Sequence, residues 1–306
     1  MEGRKRQTAT PVFSTGYPPT SIFPSMPSTL TVHAFFDYDG TLVEGDSILF
    51  WTRYYYAQRP SRSFFKLIGV AGLVLYGGRL ISSHTLKRIF LWPMAFEKPA
   101  VLEKLAKSFV HEDLSGRFHG PVLDRLWAHD RLGHKTVVIS ASGIFYLKYL
   151  AAYFPPSTLI LGTEIQWRGR PGILGVLRFP RYNGGNLRGA NKIKRLRDLG
   201  FAGAGAQGFS YSDHHHDIPL LEFAEFPECI RPTAKLEKVA IERGWPIRNW
   251  PRARAAWKLK LEALCLLVWA RAPGFLGAKP VTASPGTGPG IAVEEHGIRN
   301  RLWKVT

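Results

Sequence analysis

Apolar runs and polar breaks divide this chain into strand–helix text interrupted by one long helical stretch. Residues 32–36, Val-His-Ala-Phe-Phe, form an apolar run that ends in Asp37-Tyr38-Asp39-Gly40-Thr41. A short apolar run closed by a glycine turn predicts a buried strand with both acids at its carboxyl end. An Asx-type turn alone would account for the same residues. From Ile48 to about Leu126 no strand pattern occurs, and Pro60, Pro93 and Pro99 punctuate helical text at 50–56, 64–81 and 101–110. An inserted helical cap over 47–126 is expected.

Strand text resumes at 135–143, which ends in Ser140-Ala141-Ser142-Gly143. A helix is expected over 144–153, a third strand over 158–161, a strand pair over 164–179 and a loop over 182–189. A basic helix over 191–199, a strand over 207–211, a helix from Ile218 and a short strand over 228–231 follow. Strands alternating with helices predict an α/β core with a parallel sheet, built from 32–46 and 127–250. Both acids of the opening stretch then lie where open α/β sheets bind ligands.

Composition changes the picture mainly through charge. The chain has 306 residues, 45% of them hydrophobic, and a formal charge of +18. Such an excess favours phosphorylated ligands, nucleic acid or an anionic membrane surface. Cys229 and Cys265 are the two cysteines, too few for a disulfide framework, and a reducing cytoplasm is the simpler expectation. Residues 1–31 are rich in Pro, Ser and Thr and read as a disordered leader, with Met26 a second candidate start. Residues 251–306 read as a basic tail with one apolar helix at 257–271 and a flexible linker at 272–290.

One segment of the cap stands out. Residues 67–78 are uncharged and mostly apolar, with Lys66 before them and Arg79 after. They fall short of the roughly 18 to 20 residues that cross a bilayer. A buried cap helix and an interfacial segment anchored by Phe64 and Phe65 both fit.

Parallel strands would gather Asp37, Asp39, Ser140, Lys192, Asp213 and Asp217 at one edge of the sheet. Clustered carboxylates repel, and a hard divalent ion such as Mg2+ relieves them. A hydroxyl and a lysine beside it suit a phosphate. One carboxylate suits a nucleophile, the other a general acid and base. Taken singly, Ser140 would equally suit a helix cap, and Lys192 a solvated basic face with Lys194 as substitute.

In this order and spacing, Asp37-Tyr38-Asp39-Gly40-Thr41, Ser140, Lys192 and Asp213…Asp217 resemble the four motifs of the haloacid dehalogenase superfamily of phosphatases. The helical insertion after the first motif resembles subfamily IB, the phosphoserine phosphatase-like group. The resemblance spans roughly 32–250. It implies a Rossmann-like fold with helices on both faces, and an aspartyl-phosphate mechanism with Mg2+ as cofactor. Asp37 would be the nucleophile and a metal ligand. Asp39 would be the general acid and base, its main-chain carbonyl touching the metal. Thr41 would support the loop, Ser140 and Lys192 would hold the phosphoryl group, Asp213 would complete the metal site, and Asp217 would orient it or Lys192. His214, His215 and His216 occupy variable positions between the last two acids, and no role is assigned to them.

Substrate is less legible. Phosphoserine phosphatases of this group carry a Glu nine residues after the nucleophile, where this chain has Asp46, and the sequence offers no obvious partner for a serine carboxylate. The apolar cap, Leu91-Trp92-Pro93-Met94, and Gly208-Phe209-Ser210-Tyr211-Ser212-Asp213 are similar to the type C phosphatidylglycerophosphate phosphatases. A phospholipid head-group phosphate at the inner face of a membrane is therefore one expectation, and phosphoserine or another small metabolite the alternative. A binding protein whose basic tail carries nucleic acid is the rival of another class. Its aromatic residues, Trp257, Trp269 and Trp303, are sparse, and no nucleic-acid motif occurs.

Overall fold

The computed structural model describes residues 31–169, 178–201 and 206–251. The expected leader up to residue 30, Met26, the tail helix, the linker and the middle of the strand pair lie outside them.

At the centre is β1 (His33–Asp37). Its Phe35 meets Phe201 and Phe223 on one face, and its Phe36 stacks on Tyr211 and touches His129 on the other. Both faces of the strand are covered, which is why its sequence is a continuous apolar run and not an alternation. Around it lie β2 (Lys135–Gly143), β3 (Leu159–Gly169), β4 (Arg178–Asn183), β5 (Ala206–Ser212), β6 (Ala224–Ile230) and β7 (Ile247–Arg248). The order is β4-β3-β2-β1-β5-β6-β7, parallel except for β4. The α/β fold expected from the sequence is thus present. Since β2 and β5 flank β1 on opposite sides, the strand order reverses there, and the crevice opens past Asp37.

Helices α1 (Ser47–Gln58), α2 (Phe65–Gly77), α3 (Ser83–Leu91) and α4 (Pro99–Phe109) fill the insertion, and α5 (Gly120–Arg131) returns to pack on β1 and β2. Asp46 caps α1 by accepting from Ile48 N, and Ser82 caps α3 by accepting from Thr85 N. Trp51 of α1 is wedged among Phe109, Phe145 and Tyr146. By contrast α2 buries only Phe65, Gly69 and Gly72, so the buried-helix expectation fails for most of 67–78. Short α6 (Ile144–Leu147), then α7 (Ala190–Asp198), α8 (Ile218–Phe223) and α9 (Ala234–Arg243) complete the described helices. Ile193, Leu196, Leu220 and Phe223 cover one sheet face with Phe35, Val137 and Ile139.

Three local readings change. The third strand and the first half of the strand pair are one strand, β3. Its Gly162 is not a break: a Cβ there would stand 2.9 Å from Leu147 and 3.0 Å from the Ile144 backbone. The loop expected from Tyr182 begins only after Asn183, at Gly184 and Gly185 with φ of 75° and 86°. Past β6, α9 and β7 add to the sheet's far end.

On α5, His129 is fully buried and shares a 2.8 Å hydrogen bond between Nε2 and Tyr211 Oη. Burial, then the charges of His134 and Arg125, push its imidazole well below the ordinary 6.5. The unfolded chain binds a proton that the native one refuses, so this contribution is full above about pH 6.5 and is lost as pH falls. Wild type should therefore lose more thermal stability between about pH 7 and 5 than His129→Gln does. Carboxylates titrating elsewhere are common to both proteins, so the difference between their melting profiles isolates the imidazole. Parallel profiles would contradict a neutral buried His129.

Candidate active site

The loop after β1 folds back sharply. Leu42 and Val43 donate to Tyr38 O, and Gly40 N approaches both Val43 O and Gly45 O. Gly40 adopts φ of 82°, and a Cβ there would stand 2.2 Å from Asp213 Oδ2. No side chain fits at position 40 while Asp213 keeps this place.

Asp37, 6% exposed, accepts from Lys192 Nζ at 2.5 Å. The same ammonium donates to Asp217 Oδ2 at 2.8 Å, and Ser212 Oγ donates to that oxygen at 3.0 Å. Thr41 Oγ1 stands 3.3 Å from Asp37 Oδ2 and 3.3 Å from Asp213 Oδ1, so its one proton serves either acid. Three carboxylates therefore crowd one buried ammonium. Burial pushes Lys192 down, but Asp217 and Asp37 more than offset it and hold the ammonium charged. Burial raises Asp37 well above the carboxylate range, with Asp217 and Asp213 adding to it against Lys192. Burial and then Asp217 raise Asp213 to about 7. After burial, both shifts share a further cause: the cluster holds more negative charge than one lysine neutralises.

Lys192 reaches this place because α7 begins just after Gly189, whose φ is 55°. Two positions on, Lys194 faces elsewhere and lines a shallow cavity with Arg197 and Asp198. Of the two sequence candidates, Lys192 is the one in the cluster.

Asp39 is tied separately. Its Oδ1 accepts from Ser47 N at 2.7 Å, and its Oδ2 accepts from Ser140 Oγ at 3.1 Å and Ser142 Oγ at 2.6 Å. Ser140 also accepts from Ser142 N at 2.9 Å, so its hydroxyl is turned to Asp39. Ser47 Oγ meets Ser142 Oγ and Tyr146 Oη at 3.0 and 2.9 Å. Neither Ser47 nor Ser142 stood among the sequence candidates. For Ser142 a signal existed: two residues past Ser140 on a strand, it shares that face.

Asp46 keeps an exposed edge toward solvent. The surrounding protein and then Asp39 raise its carboxyl to about 6, while Lys87 and Arg188 pull it down. These two cations bridge the insertion and the core. Lys87 Nζ of α3 donates to Ala141 O at 2.9 Å, and Arg188 Nη1 donates to Ser83 Oγ at 2.8 Å. Cations beside Asp46 are what the sequence alone did not reveal.

Ring nitrogens of His214, His215 and His216 lie within 4.8 Å of one another. Burial and neighbouring cations, Arg188 and Lys235 among them, lower these imidazoles. A hard divalent ion fits better at Asp37 and Asp213. Two crowded carboxylates face each other across Thr41, and the glycine at position 40 lets Asp213 approach where a Cβ would otherwise stand.

The sequence model of the haloacid dehalogenase-like hydrolases matches residues 34–222, a span that holds every acid and the lysine of this cluster. The chain belongs to this family. It is 26% identical over 235 residues to a histidinol-phosphatase of Neisseria meningitidis, covering 71% of this chain and 98% of that one. It is 28% identical over 255 residues to a phosphoserine phosphatase of Mycobacterium tuberculosis, covering 79% and 78%. A solved protein of unknown function from Bordetella pertussis shares the fold, with a TM-score of 0.60 at 22% identity over 72% of this chain and 99% of that one. Family and phosphatase relatives together make the chain a phosphoric monoester hydrolase, and members of the family generally use Mg2+. Among the described residues no helix is long and apolar enough to cross a membrane.

Proposed function

We propose that the chain hydrolyses a small phosphomonoester through an aspartyl-phosphate on Asp37, with Mg2+ as cofactor. The observation that carries this reading is the division of labour between two acids one residue apart. Asp37 sits in the Lys192–Asp213–Asp217 cluster, and Asp39 is held apart by Ser47, Ser140 and Ser142. Asp37 attacks phosphorus, the ester P–O bond breaks, and the leaving oxygen takes a proton from Asp39. Asp39 then takes a proton from water, whose oxygen attacks phosphorus, releasing phosphate and freeing Asp37. Lys192 spreads the negative charge of the phosphoryl group, Ser140 and Thr41 hold it, and Asp217 keeps Lys192 in place. Magnesium, held by Asp37, Asp213 and the Asp39 carbonyl, would supply further neutralisation of the phosphate oxygens.

For substrate we infer an ester that carries an ammonium group, the class to which phosphoserine and histidinol phosphate belong. Asp46 is an acid beside Asp39 that keeps an exposed edge, with Lys87 and Arg188 as its nearby cations. Asp46→Asn tests this, because Asn retains the α1 cap while losing the charge. In the presence of Mg2+ the variant should raise KM about tenfold or more for ammonium-bearing esters, the equivalent of one charge-assisted hydrogen bond. KM for an aryl phosphate and kcat for both should hold. Equal KM changes on the two ester types would defeat the assignment.

A second reading, a phospholipid head-group phosphate at the inner face of a membrane, is favoured by one observation. Most of the apolar segment 64–81 stays exposed. On that reading Asp46→Asn has no selective effect, and lipid phosphate in mixed micelles is the better substrate.

A further inference from the structure

We propose that α2 and its flanks form a docking surface for an anionic lipid bilayer. Helices on a globular core turn their apolar side inward. Here Leu67 is 77%, Val74 70%, Leu80 74% and Phe64 59% exposed. The contact of α2 with α3 is made largely by glycine: a Cβ at Gly72 would stand 3.1 Å from Ile89, and one at Gly69 3.4 Å from Phe90. Because glycines form the seam, Leu67, Val74, Leu75 and Tyr76 of α2 stay exposed. An apolar patch of this kind marks a place of contact.

Charge selects the occupant. Residues 47–96 contain no Asp or Glu. Arg62, Lys66, Arg79 and Arg88 lie in the same stretch, the last two exposed. An anionic surface is complementary to this rim. The chain's own segment 252–306 has nine Lys and Arg against three Glu and is repelled by it. A second copy brings the same rim and is repelled likewise. An apolar helix with cationic flanks and aromatic Phe64 at one end suits a helix lying in the headgroup boundary. At 13 residues α2 is about 20 Å long, suited to lying along a bilayer and not to crossing it. Helix α3 links this surface to the cleft. Its Leu86 and Ile89 face α2, and its Ser83 and Lys87 meet the core.

This docking deepens the lipid reading and rests on it for its purpose. Vesicle binding needs no turnover, so failure of the one is distinguishable from failure of the other. The test is co-sedimentation of the full chain with phosphatidylcholine vesicles, with and without phosphatidylglycerol. Binding should require phosphatidylglycerol and weaken with salt. Leu67→Ser/Val74→Ser should lower the partition coefficient about tenfold or more while aryl phosphatase activity is unchanged. As a second measurement, Leu67→Cys carrying an environment-sensitive fluorophore should shift to the blue on anionic vesicles. Absence of wild-type binding, undiminished binding by the double variant, an unshifted fluorophore, or binding to acidic peptides instead of vesicles would each overturn the proposal.

Discussion

Asp37→Asn is expected to stop Mg2+-dependent hydrolysis of an aryl phosphate while leaving the protein folded. The loss should be about 10⁴-fold or more, the scale seen when a nucleophile is removed from a site whose groups act as a unit. Lys192 touches both Asp37 and Asp217, so after the change it still has one carboxylate partner. Three acids around one ammonium become two, which removes the repulsion of Asp37 by Asp217 and Asp213. The melting temperature without metal should accordingly hold or rise. Asp39→Asn should behave differently, accumulating a hydroxylamine-sensitive phosphoenzyme. Turnover by Asp37→Asn within tenfold of wild type would remove Asp37 from its role.

Lys192→Met should be costly in stability as well as in activity. It leaves Asp37 and Asp217 buried without their cation, a change that typically costs about 3–5 kcal/mol. For a domain of this size that lowers the melting temperature on the order of 10 °C. Adding Asp217→Asn should recover much of the loss without restoring turnover. A melting temperature unchanged in the single variant would mean that Lys192 does not hold the acids together.

Much of this was legible because the chemistry stands at strand ends. A run buried on both faces announces β1, and its neighbours' positions follow from apolar text closed by Ser140 or by Asp213. Lys192 against Lys194 was decided by the helix period of α7, once Gly189 had set where that helix begins. Other features had a signal that was passed over. Ser142 repeats Ser140 at a strand's spacing, and Leu236 and Ala240 before Gly244, whose φ is 66°, mark α9 and its end. The gap expected between 161 and 164 is absent because Gly162 serves close approach to Leu147 and Ile144 and not a turn. The cations around Asp46 had no local signal. Lys87 and Arg188 are far apart in sequence and come together only because the insertion folds over the sheet.

That last feature bears on the timing of the catalytic cycle. Helix α1 is fastened to the sheet side by Trp51 among Phe145 and Tyr146, whereas the reach of Lys87 to Ala141 and of Arg188 to Ser83 ties α3. Bonds of that kind contribute only about 0.5–1.5 kcal/mol each, because water replaces them on opening. Aromatic packing has no such substitute in water. The two ends of the insertion are thus held differently: α3 adds to its polar bonds one ring contact, His84 against Tyr182 at 4.3 Å, and is the looser leaf, with α1 the hinge side. Opening that leaf withdraws Lys87 from Asp46 and parts Arg188, which stays with the core, from Ser83. On the proposed function, exit of the dephosphorylated product would then wait on two side chains that never meet the phosphorus.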